Sequence, residues 1–174
     1  TKHAAVIDSV LDYDAQAART STKSADEIVA FVKKEGLICQ WILETHVHAD
    51  HLTASNYLKR ELKGKTAIGE RIREVQKVFA GLFNLEGFPV DGSQFDHLWK
   101  DGEKFQLGNI ECTTYHTPGH TPACVCYVIG DAVFVGDTIF MPDFGSALCD
   151  FPGGSSDALY LFVYDFTSPP THML

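Results

Sequence analysis

The segment from Thr45 to His51 contains the side chains of this chain that are best suited to bind a metal ion. It reads Thr-His-Val-His-Ala-Asp-His and supplies the imidazoles of His46, His48 and His51 and the carboxylate of Asp50. Imidazole and carboxylate are the ligands that zinc, iron and manganese take when no thiolate is offered. A lone histidine is more often a capped or packed residue than a ligand. Four ligand-type side chains at this spacing predict a metal centre.

Two later segments each add one candidate ligand. His120 ends the sequence His116-Thr-Pro-Gly-His120, in which the Pro-Gly pair predicts a tight turn that leaves the histidine little freedom. Asp137 follows Gly136 where an apolar strand ends, and this glycine permits close approach of another segment. His116 is predicted to be either a hydrogen-bonded loop residue or a residue that positions a ligand. The order of the three segments predicts that they form one site.

The surrounding pattern predicts the strands and helices that position these residues. A buried strand over Leu37 to Leu43 precedes the histidine-rich segment, so the first ligands follow the carboxyl end of a strand, where α/β proteins commonly place functional residues. Early strands alternate with helices and late strands form hairpins, which predicts two mixed sheets flanked by helices. The other expected elements are strands 4–7 and 65–68, a helix from the capping-box pattern at 24–27 to a stop at Gly36, helices 52–62 and 70–83, and hairpins 103–115 and 123–135.

Length and composition indicate one ordinary globular domain. The chain has 174 residues, of which 45% are hydrophobic and 21% charged. Its formal net charge of −9, without a cluster of Lys or Arg, argues against binding to nucleic acid or to an anionic membrane. No apolar run reaches the roughly 18 residues of a membrane span, and no signal or transit segment is visible.

The five cysteines indicate a reducing compartment. They are an odd number without a Cys-x-x-Cys pair, so a disulfide framework is not expected. Cys124 and Cys126 are predicted to be buried thiols, and Cys149, in a loop bounded by Gly and Pro, is the one with a chance of being reactive. We expect a cytoplasmic protein, or one of the mitochondrial matrix if the source is eukaryotic.

Taken together, these segments resemble the metallo-β-lactamase superfamily, and within it the persulfide dioxygenases and their bacterial β-lactamase-like relatives. The resemblance covers about residues 4–160. Besides the ligand segments it rests on Leu11-Asp-Tyr-Asp14, Glu44 to Leu52, Asp91 to Asp96 and Cys149 to Gly154. It implies an α+β fold, the four-layer αββα sandwich, in a single domain over residues 1–174. The same comparison implies that the domain is incomplete at both termini and that the tail 161–174 is atypical.

The resemblance also implies which residues hold the metal. In the persulfide dioxygenases the equivalents of His46, His120 and Asp137 hold one ferrous ion as a two-histidine, one-carboxylate triad. His48, Asp50 and His51 then lie around that site. In the glyoxalase II-like hydrolases they contribute to a two-metal site of zinc or iron, together with a further late histidine. The chain offers only His172 for that last position, which favours the single iron ion.

The implied activity is the oxidation of glutathione persulfide, or a similar small persulfide, by dioxygen to sulfite. Asp50 and Tyr160 are the implied catalytic residues, with Tyr160 approaching the substrate sulfur. Leu148 stands in a loop where relatives that bind glutathione persulfide tend to carry arginine. The identity of the persulfide substrate is therefore left open. The alternatives are a two-metal thioester hydrolase of the glyoxalase II kind and a truncated, inactive metal-binding domain. The expected partners are a small thiol or persulfide, dioxygen and, in a homodimer, a second copy of the chain.

Overall fold

The computed structural model describes residues 2–167. Its strands are β1 His3–Ile7, β2 Val10–Asp14, β3 Arg19–Ser21, β4 Ile38–Leu43, β5 Leu52–Thr53, β6 Lys65–Gly69, β7 His97–Trp99, β8 Lys104–Leu107, β9 Ile110–His116, β10 Val125–Ile129 and β11 Ala132–Phe134. Its helices are α1 Lys23–Lys34, α2 Ser55–Leu62, α3 Ile72–Leu82 and α4 Ser156–Thr167, and a short 3-10 helix covers Gly136–Thr138. No helix within residues 2–167 combines the length and the apolar character that crossing a membrane requires.

Strands β1, β4, β6 and β7 form a parallel sheet in the order β1-β4-β6-β7. Parallel neighbours need crossover connections, and α1, α2 and α3 lie within those connections. Val29 of α1 and Leu58 of α2 pack with Ile42 of β4 in one buried cluster. Ile72 of α3 packs with Ile68 of β6 in another. These helices therefore cover one face of the parallel sheet.

Strands β8 to β11 form an antiparallel sheet in the order β11-β10-β9-β8. Both predicted hairpins are confirmed, since Leu107 pairs with Ile110 and Ile129 pairs with Ala132. The described strands of this sheet are all antiparallel and those of the first are all parallel, so the expectation of two mixed sheets was wrong. Crossover connections through helices produce only parallel neighbours, and tight hairpins produce only antiparallel ones.

The two sheets face each other across the main hydrophobic core. This core contains Leu43 and Trp99 of the parallel sheet together with Phe105 and Tyr127 of the antiparallel sheet, all of them buried. Strands β3, β2 and β5 form a third, small antiparallel sheet. The expected α+β sandwich is confirmed, with α1, α2 and α3 on the outside of the parallel sheet.

The structure differs locally from the predicted elements in two helices. Helix 52–62 begins only at Ser55, because Leu52 and Thr53 pair with β2 as strand β5. Helix α1 begins at Lys23, and Ser24 is not its N-cap. Instead, the Ser24 amide and hydroxyl donate to the Asp12 carboxylate at 2.8 and 2.7 Å, so a residue of β2 caps the helix.

Among the aromatic residues, Trp99 is buried in the core. Phe134 and Phe140 are both exposed. Phe134 belongs to β11, which is the last strand on its side of the antiparallel sheet and pairs only with β10 among the described residues.

Candidate metal centre

Three segments that are far apart in the sequence converge at one edge of the two sheets. His46 follows β4, His120 lies in the loop between β9 and β10, and Asp137 follows β11. One potential ligand atom from each of the three lies within 4.8 Å of the others. The Asp137 Oδ2 atom is 3.8 Å from His46 Nε2 and 3.6 Å from His120 Nε2. The three side chains that the sequence proposed as a triad are therefore adjacent.

Hydrogen bonds orient both histidines of this group. Thr45 Oγ1 donates to Asp8 Oδ2 at 2.8 Å, so it is left to accept a hydrogen bond from His46 Nδ1 at 3.0 Å. His120 Nδ1 donates to the carbonyl oxygen of Leu148 at 2.6 Å. With the proton on Nδ1, each imidazole presents the lone pair of Nε2 towards Asp137.

The donor set fits a bound cation. His46 Nε2 is buried and has no hydrogen-bond partner in the described structure, which is costly unless another group satisfies it. Burial, with smaller effects of the neighbouring His48 and His120, lowers the pKa of His46 to about 3. The imidazole is therefore neutral at physiological pH, as a metal ligand must be.

His48 is held by carboxylates on the other side of His46. Its Nε2 atom lies 3.1 Å from Asp8 Oδ1 and 3.5 Å from Glu44 Oε2. Burial alone lowers the pKa of His48, but the bonds to Asp8 and Glu44 outweigh it and raise this pKa to about 10. Thr53 donates a second hydrogen bond to Glu44. The Nε2 atom of His48 therefore serves a structural ion pair that connects β1, β4 and β5.

Asp50 and His51 form a second candidate group together with His48. His51 Nδ1 is 3.2 Å from Asp50 Oδ1, and a ligand atom from each of the three residues lies within 4.8 Å of the others. The Asp50 carboxylate is exposed, whereas His51 Nε2 is buried without a hydrogen-bond partner. A second metal ion therefore has potential ligands beside the first group.

Two glycines allow the segments to approach each other. Gly136 has a φ of +51°, and a Cβ atom there would lie 2.7 Å from Thr45 Cβ. Gly119 has a φ of +153°, and a Cβ atom there would lie 2.9 Å from the Cα atom of Leu159 in α4. Each glycine directly precedes a candidate ligand. The predicted close approach at Gly136 is thus present, and it occurs against the residue that orients His46.

Of the remaining candidate residues, Tyr160 and His116 make contacts of their own. Tyr160 is exposed on α4, where its ring stacks on Tyr164 with centroids 6.2 Å apart. Tyr160 lines a surface cavity with Leu148, and its catalytic role stays a prediction. His116 Nε2 donates to the carbonyl of Pro122 at 2.8 Å, so His116 is hydrogen-bonded, as one of its two expected roles had it, although it ends β9 and does not lie in a loop. His172 lies outside the described residues.

The thiols are placed as the sequence suggested. Cys124 and Cys126 are buried, and the other three cysteines are also free. Burial raises the pKa of Cys124 to about 11 and also raises the pKa of Cys149, although Cys149 is partly exposed. None of these thiols is activated as a nucleophile.

Sequence reasoning missed the residues that orient the ligands. Asp8 was not among the candidate residues, and Glu44 and Thr45 were named only as part of a motif. The ring of Phe151, in the segment Cys149 to Gly154, lies against the site with its centroid 5.6 Å from that of His120. The available signal was the position of Asp8 directly after an apolar strand, the same type of position that His46 and Asp137 occupy.

The family follows from a direct comparison. A family model described as the metallo-beta-lactamase superfamily matches residues 1–169. The chain belongs to the metallo-β-lactamase superfamily. A protein named Glyoxylase B2 from Dictyostelium discoideum is 55% identical over 92% of this chain and 56% of its own length. The mitochondrial persulfide dioxygenase ETHE1 of Bos taurus is 30% identical over 97% of this chain and 56% of its own length.

The solved structures agree with this assignment. The crystal structure of ETHE1 from Myxococcus xanthus has a TM-score of 0.71 and 27% identity, and covers 97% of this chain and 62% of that chain. The crystal structure of TTHA1623 in a di-iron-bound form has a TM-score of 0.62 and 25% identity, and covers 84% of this chain and 72% of that chain. The chain spans little more than half the length of these two curated relatives.

Proposed function

We propose that this domain is an iron-dependent persulfide dioxygenase, with one ferrous ion held by His46, His120 and Asp137. The observation that carries the proposal is the geometry of these three side chains. Two imidazoles present Nε2 towards one carboxylate, and the three ligand atoms lie within 4.8 Å of one another. Two histidines and one carboxylate are the ligand set of non-haem ferrous oxygenases. The similarity to persulfide dioxygenases at 30% identity supports this choice.

The proposed reaction converts a small persulfide, dioxygen and water into a thiol, sulfite and two protons. The S–S bond breaks, the outer sulfur is oxidised to sulfite, and dioxygen accepts four electrons in net. Two of the sulfite oxygens come from dioxygen and one comes from water. A ferrous ion held by His46, His120 and Asp137 would supply the redox chemistry by which dioxygen oxidises the persulfide sulfur.

The residues around the triad have separate proposed roles. Thr45 and the Leu148 carbonyl keep the two imidazoles in the tautomer that exposes Nε2. The Phe151 ring covers His120 and excludes water from that side. Asp50, whose carboxylate is exposed next to His51, holds water at the edge of the site. Tyr160 is proposed to approach the substrate sulfur from α4.

The test is oxygen uptake by anaerobically purified, ferrous-loaded protein after addition of a persulfide. We expect uptake that is matched by sulfite, with one iron ion per chain. An absence of uptake from every persulfide tested, with one iron ion confirmed per chain, would contradict the proposal. The His120→Ala protein, which lacks one of the three ligands, is the control for oxidation by free iron.

A thioester hydrolase with two metal ions is the second candidate function. The second group of His48, Asp50 and His51 favours it, since His51 Nε2 is buried without a partner beside the first group. The similarity to a protein named Glyoxylase B2 and to a di-iron-bound structure points the same way. This candidate predicts two metal ions per chain and metal-dependent hydrolysis of a glutathione thioester. One bound metal ion without thioesterase activity would exclude it.

A further inference from the structure

An apolar cavity of about 570 Å³ lies beside the candidate metal centre. Its wall is formed by α3, by the loop between α3 and β7, and by residues 47–49 and 151 at the metal centre. Pockets for small molecules commonly have volumes of roughly 300 to 1,000 Å³. The larger apolar side chains of the wall include Val75, Phe79, Phe83, Phe88, Phe95 and Phe151.

A row of aromatic rings connects the solvent side of this cavity to His120. Phe83, which is 63% exposed, stacks on Phe79 with ring centroids 5.7 Å apart. Phe79 lies 5.7 Å from Phe151, and Phe151 lies 5.6 Å from His120, again between centroids. A ligand that lies along these rings therefore extends from solvent to one of the three candidate ligands.

The wall of the cavity carries almost no charge. Among the described residues that form it, His48 is the one ionisable side chain, and its Nε2 atom is paired with Asp8. The two amide side chains bond to each other and to the backbone, since Gln76 Nε2 donates to Gln94 Oε1 at 2.9 Å and Gln94 Nε2 donates to the Pro89 carbonyl at 2.7 Å. Such a wall favours hydrocarbon groups, and its one ionisable side chain is already paired with carboxylates.

We propose that this cavity binds the apolar tail of the substrate, so that the domain prefers persulfides of alkyl or aryl thiols to glutathione persulfide. The inference rests on the proposed function, because it assigns the tail of a persulfide whose sulfur reaches the metal centre. Glutathione carries two carboxylates and one ammonium group at neutral pH. In this cavity these groups would lose their hydration without gaining an ion pair.

The first test measures binding without turnover. Hexanethiol and glutathione are titrated by calorimetry into the zinc-loaded chain, into Phe83→Glu and into Leu82→Glu. Both substituted residues lie at the end of α3 with similar exposure, 63% and 65%, but only Phe83 lines the cavity. We expect tighter binding of hexanethiol than of glutathione. We also expect Phe83→Glu to weaken hexanethiol binding on the order of tenfold, because it places a charge in an apolar wall, while Leu82→Glu leaves it unchanged.

The second test compares kcat/KM of the ferrous protein for hexyl persulfide and glutathione persulfide. A higher value for hexyl persulfide that falls in Phe83→Glu supports the inference. Hexanethiol binding that is sensitive to Phe83→Glu, without turnover of either persulfide, supports the apolar site and contradicts the dioxygenase function. Preference for glutathione in both tests would overturn the inference and leave the dioxygenase function standing.

Two further outcomes are decisive. If Leu82→Glu and Phe83→Glu weaken hexanethiol binding equally, the effect is not specific to the cavity and the inference fails. If sedimentation shows a dimer that Phe83→Glu dissociates, the cavity is an interface between copies and the inference fails as well. Should Phe83→Glu not fold, Leu85→Glu changes another partly exposed residue of the wall and serves the same comparison.

Discussion

At the scale of single residues, the candidate centre depends on pairs in which one side chain fixes another. His46 presents Nε2 because Thr45 accepts its Nδ1 proton, and Thr45 does so because its own proton goes to Asp8. His120 is fixed in the same way by the carbonyl of Leu148. Replacing that leucine leaves the carbonyl in place, so His120 is held by the course of the backbone and not by the type of residue 148.

Removal of a proposed ligand is expected to abolish metal binding. His120→Ala and Asp137→Ala each remove one of the three ligand atoms, and we expect the affinity for ferrous iron or zinc to fall by more than about 100-fold, above the loss for a residue that only orients a ligand. Mass spectrometry measures the metal content per chain, and calorimetric titration measures the affinity. His97→Ala is the control, because His97 pairs with Glu103 outside the proposed site. Full occupancy in both ligand variants would refute the assignment.

Asp50→Asn distinguishes one bound metal from two. With a single iron, Asp50 binds no metal, so we expect one iron per chain to remain and kcat to fall on the order of 10-fold. With two metals, Asn is a poorer ligand than a carboxylate and the metal content falls by about one ion. Anaerobic iron analysis beside the rate of oxygen uptake separates the two results. Unchanged iron with an unchanged rate would remove Asp50 from both schemes.

At the scale of elements, close approach of the segments places the ligands. The turn after β11 reaches the end of β4 only because Gly136 has no side chain where Thr45 lies. The loop between β9 and β10 likewise reaches α4 only because Gly119 has none. The two sheets supply the ligands, and these two glycines set the distances between the segments that carry them.

Gly136→Ala is expected to disturb the centre through this contact. A methyl group there would lie 2.7 Å from Thr45 Cβ, so Thr45 or Asp137 must move. We expect a loss of about 1 to 3 kcal/mol in the free energy of unfolding and weaker metal binding. Gly102→Ala is the matched control, because Gly102 has a φ of +69° with no atom within 4 Å of the added carbon. It should lose stability without losing metal, and equal metal loss in both variants would refute the explanation.

A pH dependence is expected at the junction of β6, β7 and α2. Asp96 accepts hydrogen bonds from Lys59 Nζ at 2.6 Å and from the Thr66 amide at 2.9 Å, and these bonds lower its pKa below the ordinary 3.8. A lowered folded-state pKa stabilises the fold above pH 3.8, and this contribution is lost as the pH falls through the folded-state value.

Asp96→Asn should therefore destabilise the chain at neutral pH and have little effect in acid. Urea unfolding at pH 7 should show a loss of about 1 kcal/mol in the free energy of unfolding. The loss is small because the ion pair is partly exposed to solvent. Lys59→Gln should produce a similar loss, and the double variant should add little to either. A loss that is independent of pH would contradict the role of the ion pair.

At the scale of the whole molecule, the proposed metal links the two sheets. His46 follows a strand of the parallel sheet, whereas His120 and Asp137 follow strands of the antiparallel sheet. A cation bound by all three opposes separation of the two layers. A metal ion at the proposed site would therefore contribute to the stability of the sandwich as well as to its proposed chemistry.

Metal should accordingly raise the melting temperature. At a concentration 100 times the dissociation constant, the stabilisation is about 2.7 kcal/mol, which corresponds to about 5 to 10 °C for a domain of this size. Scanning fluorimetry with and without zinc measures the shift. Asp137→Ala should show almost none, while the His97→Ala control should shift as the unmodified chain does. A large shift in Asp137→Ala would show that the stabilising metal binds elsewhere.

The sequence by itself determined the types of ligand, the family and the kind of fold. These signals are local, since alternating apolar residues specify strands and the three metal-ligand segments are each a few residues long. His46 and Asp137 were found this way because each follows a predicted strand, and His120 because it ends a predicted tight turn. The resemblance to the persulfide dioxygenases then joined the three into one triad.

Only the tertiary structure decided how these ligands are held and what lies beside them. Asp8 pairs with His48 across 40 positions, and the Leu148 carbonyl meets His120 across 28. Such contacts depend on the packing of the two sheets and leave no local pattern in the sequence. The same packing brings Phe83, Phe79 and Phe151 into one row beside His120. The apolar cavity, and with it the proposed preference for an apolar persulfide, therefore became visible only in the folded chain.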